Sequence, residues 1–275
     1  MNRHKLESLI TSKIVSDIKI YDEVSSTNDI AKEYSRNKQG DIPALFISEI
    51  QTAGRGRRGR VWDSPPNTGI WMSYLFKSNL KPELIPAVTL LSAYSIAKAI
   101  NTYTIMHSIH NLDIKIKWPN DIVINSKKIC GILTELVSST GPENENYIIS
   151  GIGINVNTDH FSPEISDVAT SLLIESGSKW SREELICYIL TNISSCIIEY
   201  EKCENLEFLL DEYNNMLINK DREVILSSAN TSLPEGRYLC HGIDKTGALI
   251  VEDKNKNLIP ITSGEVSVRG IYGYV

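Results

Sequence analysis

Gly54-Arg55-Gly56-Arg57-Arg58-Gly59-Arg60 places four arginines and three glycines in seven positions. Such a run has neither a helical nor a strand period and nothing apolar to bury. It must therefore cross the surface as a mobile loop between elements that do pack. Its residue types suit an anion, because glycines let backbone N–H groups come close and arginine forks make charge-assisted contacts to phosphate or carboxylate. Taken alone, the run fits a clamp for an anionic small molecule, a solvated basic segment, or an arginine-glycine stretch that binds nucleic acid through its phosphates.

Composition narrows these choices. The formal net charge is -6 and the pI about 5.5, whereas a general nucleic-acid binder carries a basic excess over a whole face. The five cysteines are odd in number and lack C-x-x-C spacing, which argues against a disulfide framework or structural zinc and for a reducing compartment. No H-E-x-x-H occurs among the five histidines, and no transition-metal site is expected. The N-terminus alternates apolar with charged residues, unlike a signal peptide. The longest uncharged run, residues 84–97, falls short of the roughly 20 apolar residues of a membrane span. A cytoplasmic protein without membrane contact is expected.

Around the loop, residues 3–12 read as a short helix and 18–21 as a strand. Ser25-Ser26-Thr27-Asn28-Asp29 stands before a helical run. One cap needs only one of these side chains, so the others are free to bond a ligand. Residues 44–48 form a strand that delivers the arginine loop, and 70–76 an aromatic-rich strand that receives it. A buried helix is predicted from Pro86 to about Tyr103. Residues 114–135 read as a hairpin about an Asn-Ser-Lys turn, placing Lys117, Asp121 and Lys128 on one compact unit, with Lys128 at a sheet end where a cation can reach phosphate.

In Gly151-Ile152-Gly153-Ile154-Asn155 the third glycine of a dinucleotide fingerprint is missing, and no P-loop exists anywhere. These glycines lie inside a strand pattern and mark a close backbone approach. Ser181-Arg182-Glu183-Glu184 is a capping box opening a long helix to about Cys203, and a second helix covers about 206–217. After residue 219 the pattern turns to short strands. The expected organisation is residues 1–219 as one domain and 220–275 as a small all-β barrel.

Together, Ser26-Thr27-Asn28, the glycine-arginine loop with Trp62, Lys117-Trp118-Pro119-Asn120-Asp121, Lys128-Ile129-Cys130-Gly131 and Gly151-Ile152-Gly153-Ile154-Asn155 resemble, in order, the biotin protein ligases. Gly242-Ile243-Asp244, Gly247-Ala248-Leu249 and Gly264-Glu265-Val266-Ser267-Val268-Arg269 resemble that family's terminal barrel. The resemblance implies an α+β fold: a mixed β-sheet flanked by helices, like class II synthetases, followed by a small SH3-like barrel. It also implies an ATP-dependent ligase that makes biotinyl-5'-adenylate, with Mg²⁺ accompanying ATP, and passes biotin to a lysine of a biotin carboxyl carrier domain.

By the same resemblance, Arg57, Lys128, Asp121 and Lys117 would carry the chemistry. Ser26, Thr27, Asn28, Gln51, Gly54, Arg55, Arg57, Lys128, Gly131 and Gly151 would bind biotin, and Arg55, Arg57, Arg58, Trp62, Asn155 and Arg269 would bind ATP. Asp121 would orient the acceptor lysine or help hold Mg²⁺. Some members carry an N-terminal winged helix-turn-helix, but only about 25 residues precede Ser26 here. The first helix thus reads as a linker remnant, in a monofunctional enzyme without specific DNA binding. An exposed sheet edge could serve a homodimer or the carrier. The closest alternative is a lipoate ligase, and head-group selectivity does not follow from the sequence.

Overall fold

The structure is a computed structural model and describes residues 1–37, 40–138, 146–227, 235–262 and 267–270. In chain order the first part comprises α1 (Arg3–Leu9), β1 (Asp17–Val24), α2 (Thr27–Asn37), β2 (Ala44–Gln51), β3 (Ile70–Ser78), α3 (Pro86–Met106), β4 (Ile114–Lys117), β5 (Asp121–Ile124), β6 (Lys127–Ser138), β7 (Asn146–Ile154), α4 (Leu172–Ser176), α5 (Arg182–Cys203) and α6 (Leu210–Met216). The seven strands form one mixed sheet, ordered β1-β2-β3-β7-β6-β5-β4, in which only β1 and β2 pair in parallel.

Strand alternation gives the two faces different jobs. Ile70, Met72, Tyr74 and Phe76 of β3, with Ile148, Ile152 and Ile154 of β7, join the main core with α3 and α5. Leu75 and Ile149 point the other way and pack with Ala31 and Tyr34 of α2. Residues of β3, β6 and β7 further along this second face form the floor of the site described below. Helix α3 is longer than the uncharged run suggests. It is long and apolar enough by composition to cross a membrane, yet most of it is buried in the core, which explains why it is apolar all round.

Two expectations need correcting. Helix α1 is an integral part of the fold: Leu6 and Ile10 belong to the main core, while Lys5 bonds Ser181 and Glu184 at the start of α5. Half of the expected capping box is present, since Ser181 accepts from Glu184 N. The Ser181 N–H goes instead to the Tyr103 hydroxyl at 2.8 Å. The C-terminal part, β8 (Glu223–Ser227), β9 (Gly236–Ile243), β10 (Leu249–Glu252), β11 (Leu258–Ile261) and β12 (Ser267–Gly270), forms a five-stranded antiparallel sheet ordered β11-β10-β9-β8-β12. This antiparallel make-up is the one expected for the small C-terminal barrel.

This second sheet shares the main core through Val224, Leu226, Cys240, Leu249 and Val251. Its Gly247 carbonyl accepts from Trp118 Nε1 at 3.2 Å, so it buttresses the Trp118-Pro119-Asn120 turn between β4 and β5. Gly264 and Glu265 lie outside the described residues.

Candidate active site

A cavity of about 540 Å³ opens on the face of the sheet that carries α2, within the size range of small-molecule sites. Its floor is made by omission. Gly131 of β6 faces Gly153 of β7, and Gly151 lies between Ser73 of β3 and Leu133 of β6. Three side chains are thereby missing from one sheet face, and other groups descend into the space. A methyl group on Gly151 would come within 2.2 Å of Asn28 Oδ1, and one on Gly153 within 2.6 Å of Trp62 Nε1.

One end of the cavity is neutral and densely hydrogen-bonded. The Ser26 carbonyl accepts from Asp29 N and Ile30 N to open α2. The Thr27 N–H donates to Gln51 Oε1 at 2.9 Å, so Gln51 at the end of β2 caps this helix from outside. Thr27 and Asn28 are consequently turned inward and buried. Ser73 Oγ lies 2.7 Å from Thr27 Oγ1 and 2.5 Å from Asn28 Oδ1. Asn28 Nδ2 donates to Glu135 Oε2 at 2.7 Å, and Glu135 Oε1 accepts from Lys32 Nζ at 2.7 Å.

The other end is cationic. Lys128 Nζ lies 2.7 Å from Asp121 Oδ1 and 5.1 Å above the Trp62 ring, held by an ion pair and a cation–π contact. Strand pairing causes this meeting: Lys117 lies opposite Asp121 on β4 and β5, and the tight Asn125-Ser126 turn, with φ of 49° and 64°, brings Lys128 back on β6. Lys117 and Asp121 are both largely buried.

The arginine loop bridges the two ends. Although it lacks any period, it closes as a small hairpin, with Trp62 N bonding Gly54 O at 2.9 Å, Gly56 N bonding Arg60 O at 2.7 Å, and a 3₁₀ turn at Arg57–Gly59. Arg55 pairs with Asp29 on α2. Arg57 Nη1 donates to Asn120 Oδ1 at 3.1 Å. Asn120 is itself fixed, since its Nδ2 donates to Ile132 O. Burial, followed by the neighbouring Arg58, lowers the pKa of Arg57 below the ordinary guanidinium value.

Of the residues singled out from sequence, Ser26, Thr27, Asn28, Gln51, Arg55, Arg57, Arg58, Trp62, Lys117, Asp121, Lys128, Gly131, Gly151 and Asn155 line this one cavity. Gly54 does not. A methyl group there would come within 2.5 Å of the Trp62 carbonyl, so Gly54 serves loop closure. Asn155 lines the cavity with its amide nitrogen already bonded to Thr170 O at 3.1 Å. Arg269 stands opposite Ile225 in the second sheet, and its side chain lies outside the described residues.

Sequence reasoning passed over Asn120, which lines the cavity, and Ser73 and Glu135, which stand behind Thr27 and Asn28 without lining it. It also missed the segment bearing Phe161, Ile165 and Val168, which lines the cavity and docks on β6 through Lys128 N to Val168 O at 2.8 Å. Ser73 and Asn120 had a faint signal, each being polar within an apolar or turn motif. The 161–168 segment has no period and gave none.

The donor set does not suit a resident metal. Asp63 and Asp121 are the carboxylates lining the cavity, and Asp121 is committed to Lys128. Among the described residues no group of three or more His, Cys, Asp or Glu side chains is placed to hold a metal ion.

Two family models match the chain: the biotin/lipoate A/B protein ligase family over residues 21–155, and the biotin protein ligase C terminal domain over residues 240–269. The bifunctional ligase/repressor BirA of Bacillus spizizenii is 40% identical over 171 residues, covering 62% of this chain and 50% of that protein. BirA of Escherichia coli is 27% identical over 245 residues, covering 88% and 72%. The chain thus spans about half the length of the Bacillus relatives it matches. The solved structure of biotin protein ligase from Aquifex aeolicus in complex with biotin and ATP superimposes with a TM-score of 0.77 at 27% identity, covering 92% of this chain and 99% of that one. With the ordered motifs gathered in one cavity and both family models matched, the chain belongs to the biotin/lipoate A/B protein ligase family.

Proposed function

We propose that the protein is a biotin protein ligase, which condenses biotin with ATP to biotinyl-5'-adenylate and then transfers biotin to a lysine of a carrier domain. The observation that carries this reading is the polarity of the cavity: a neutral, hydrogen-bonding end at Thr27, Asn28, Ser73 and Gln51, and a cationic end at Lys128 and Arg57, joined by the arginine loop. A neutral cyclic urea suits the first, and two anions brought together suit the second.

In the first step a biotin carboxylate oxygen attacks the α-phosphorus, the bond to the bridging oxygen breaks, and pyrophosphate leaves with the electron pair. The two anions repel, and Lys128 and Arg57 offset that repulsion by favouring the charge on the phosphoryl oxygens. Lys128 is released toward them from Asp121, and Arg57 from Asn120. Mg²⁺ arrives as part of the nucleotide substrate, consistent with the sparse carboxylates of the site. Trp62 moves from the glycine floor to stack on adenine beside Asn155. The loop covers the mixed anhydride and excludes water.

In the second step the neutral amine of the carrier lysine attacks the acyl carbon, the acyl–phosphate bond breaks, AMP leaves with the electron pair, and the surplus amine proton passes to solvent. Asp121, freed from Lys128, accepts the hydrogen bond that orients the incoming amine. Residues 1–219 carry this chemistry, and Gly247 of the C-terminal part holds the Trp118 turn against it.

Biotin-dependent exchange of labelled pyrophosphate into ATP, measured beside lipoate, tests this reading. Exchange with biotin alone is the expected result. Exchange with lipoate alone would move the protein to the sister activity of its family, and none with either would refute ligase function.

A further inference from the structure

A single carboxylate outside the lining of the cavity dictates which atoms the neutral end presents. We propose that Glu135 is a specificity-determining positioning residue: through Asn28 and Ser73 it fixes the hydroxyl of Thr27 as a hydrogen-bond acceptor toward the substrate, selecting head groups that bring N–H donors. This rests on the ligase reading above and names what distinguishes a cyclic urea from a dithiolane within it.

The direction of each bond follows from counting hydrogens. A carboxylate only accepts, so the Asn28 atom 2.7 Å from Glu135 Oε2 is the amide nitrogen. Its second hydrogen points at Leu133 O, 3.4 Å away. Asn28 Oδ1 then faces Ser73 Oγ at 2.5 Å, and both partners cannot be acceptors, so Ser73 commits its only proton there. The 2.7 Å contact between Ser73 and Thr27 must be made with the proton of Thr27. Gln51 Oε1 accepts from the Thr27 N–H at 2.9 Å and, at 3.2 Å from Thr27 Oγ1, is the longer second acceptor within reach of the same hydroxyl proton. Thr27 Oγ1, its proton turned inward, is left with lone pairs for the cavity.

Lys32 keeps the carboxylate in place from the far side, at 2.7 Å from Glu135 Oε1. The chain of bonds sits in a protected setting, with Ser73 fully buried and Thr27 and Asn28 nearly so. Without Glu135 the Asn28 amide has no acceptor-only partner and can turn over. Ser73 would then donate to Thr27 and fill a lone pair that Thr27 otherwise keeps for the substrate, while the Thr27 proton turns to Gln51 Oε1. A site built to accept N–H groups discriminates strongly because a ligand lacking them leaves its buried acceptors unpaired.

Titration of biotin without nucleotide, with ATP titrated separately, tests the proposal on the wild type, Glu135→Ala and Glu135→Gln. Glu135→Ala should weaken biotin about tenfold or more and leave ATP affinity and the exchange rate at saturating biotin within about twofold. Glu135→Gln, which still offers an acceptor to Asn28, should recover most of the loss. Unchanged biotin affinity in Glu135→Ala, or equal losses for biotin and ATP, would overturn the proposal. Ser73→Ala leaves the Glu135–Lys32 pair intact and should show the same biotin-selective loss, so normal affinity there overturns the relay even if Glu135→Ala fails to fold. Failure of the wild type to bind biotin would instead sink the ligase reading itself.

Discussion

The two ends of the cavity are built on opposite principles. At the Thr27 end Thr27, Asn28, Ser73, Gln51 and Glu135 are hydrogen-bonded to one another, and they come from four elements, helix α2 and three strands of one sheet, β2, β3 and β6. At the Lys128 end the cations rest on Asp121, Asn120 and the face of Trp62, and Arg57 and Trp62 ride on the arginine loop. A neutral head group gains little from a moving partner, so its site is pre-organised. Charged reactants must be admitted, brought together and released, so their cations are held by contacts that a phosphate can replace. On the proposed ligase reading, the rigid end recognises the substrate and the exchangeable charges react.

Perturbing one end at a time sharpens that contrast. Gly151→Ala drives a methyl group to within 2.2 Å of Asn28 Oδ1 and should have the largest effect, weakening biotin by about 100-fold, with ATP affinity changed much less. Calorimetric titration of each ligand checks it. Gly153→Ala pushes on Trp62 at 2.6 Å, where an exposed loop can give way, so a rise of about tenfold in the KM for ATP at unchanged biotin affinity is expected from steady-state kinetics. Equal losses of both ligands in either variant would break the separation of the two ends.

A third change touches neither end and calibrates the others. Burial alone would raise the pKa of Glu49, but the bonds from Arg182, then the N-terminal ammonium, hold it below the ordinary glutamate value. A carboxylate whose folded pKa is depressed contributes stability that is fully present above the unfolded pKa and lost as pH falls through the folded one. Glu49→Gln should therefore lower the melting temperature by the equivalent of about 1–3 kcal/mol at neutral pH. It should flatten the wild-type loss of stability below about pH 5, with the smallest effect on activity. Melting curves from pH 3 to 7 show whether it does.

Much of this was legible in the chain. The glycine-arginine run, the strand that delivers it and the Lys117-to-Lys128 unit follow from local composition and period, and local signals placed them well. Ser73 and Glu135 were not recognised because their importance depends on register. Ser73 meets Asn28 only because β3 pairs with β7 at Gly151, and Glu135 meets it only because β6 pairs on the other side of the same strand. Such long-range pairing leaves no mark within the segments themselves. Helix α1 was misjudged for another reason: it was read from the short stretch ahead of Ser26, and only the fold shows that Leu6 is fully buried. The glycines of β7 were read correctly as marks of close approach, but side chains of the protein itself make that approach here.

The separation of recognition from reaction is tested most directly by Lys128→Ala, with biotin affinity and pyrophosphate exchange measured on the same preparation. The account predicts that exchange falls by about 100- to 1000-fold, as when a preorganised donor to developing charge is removed. Biotin affinity should fall by about tenfold at most, since the Thr27 end is untouched. Exchange within a few-fold of the wild type, or biotin affinity lost in proportion to exchange, would contradict it.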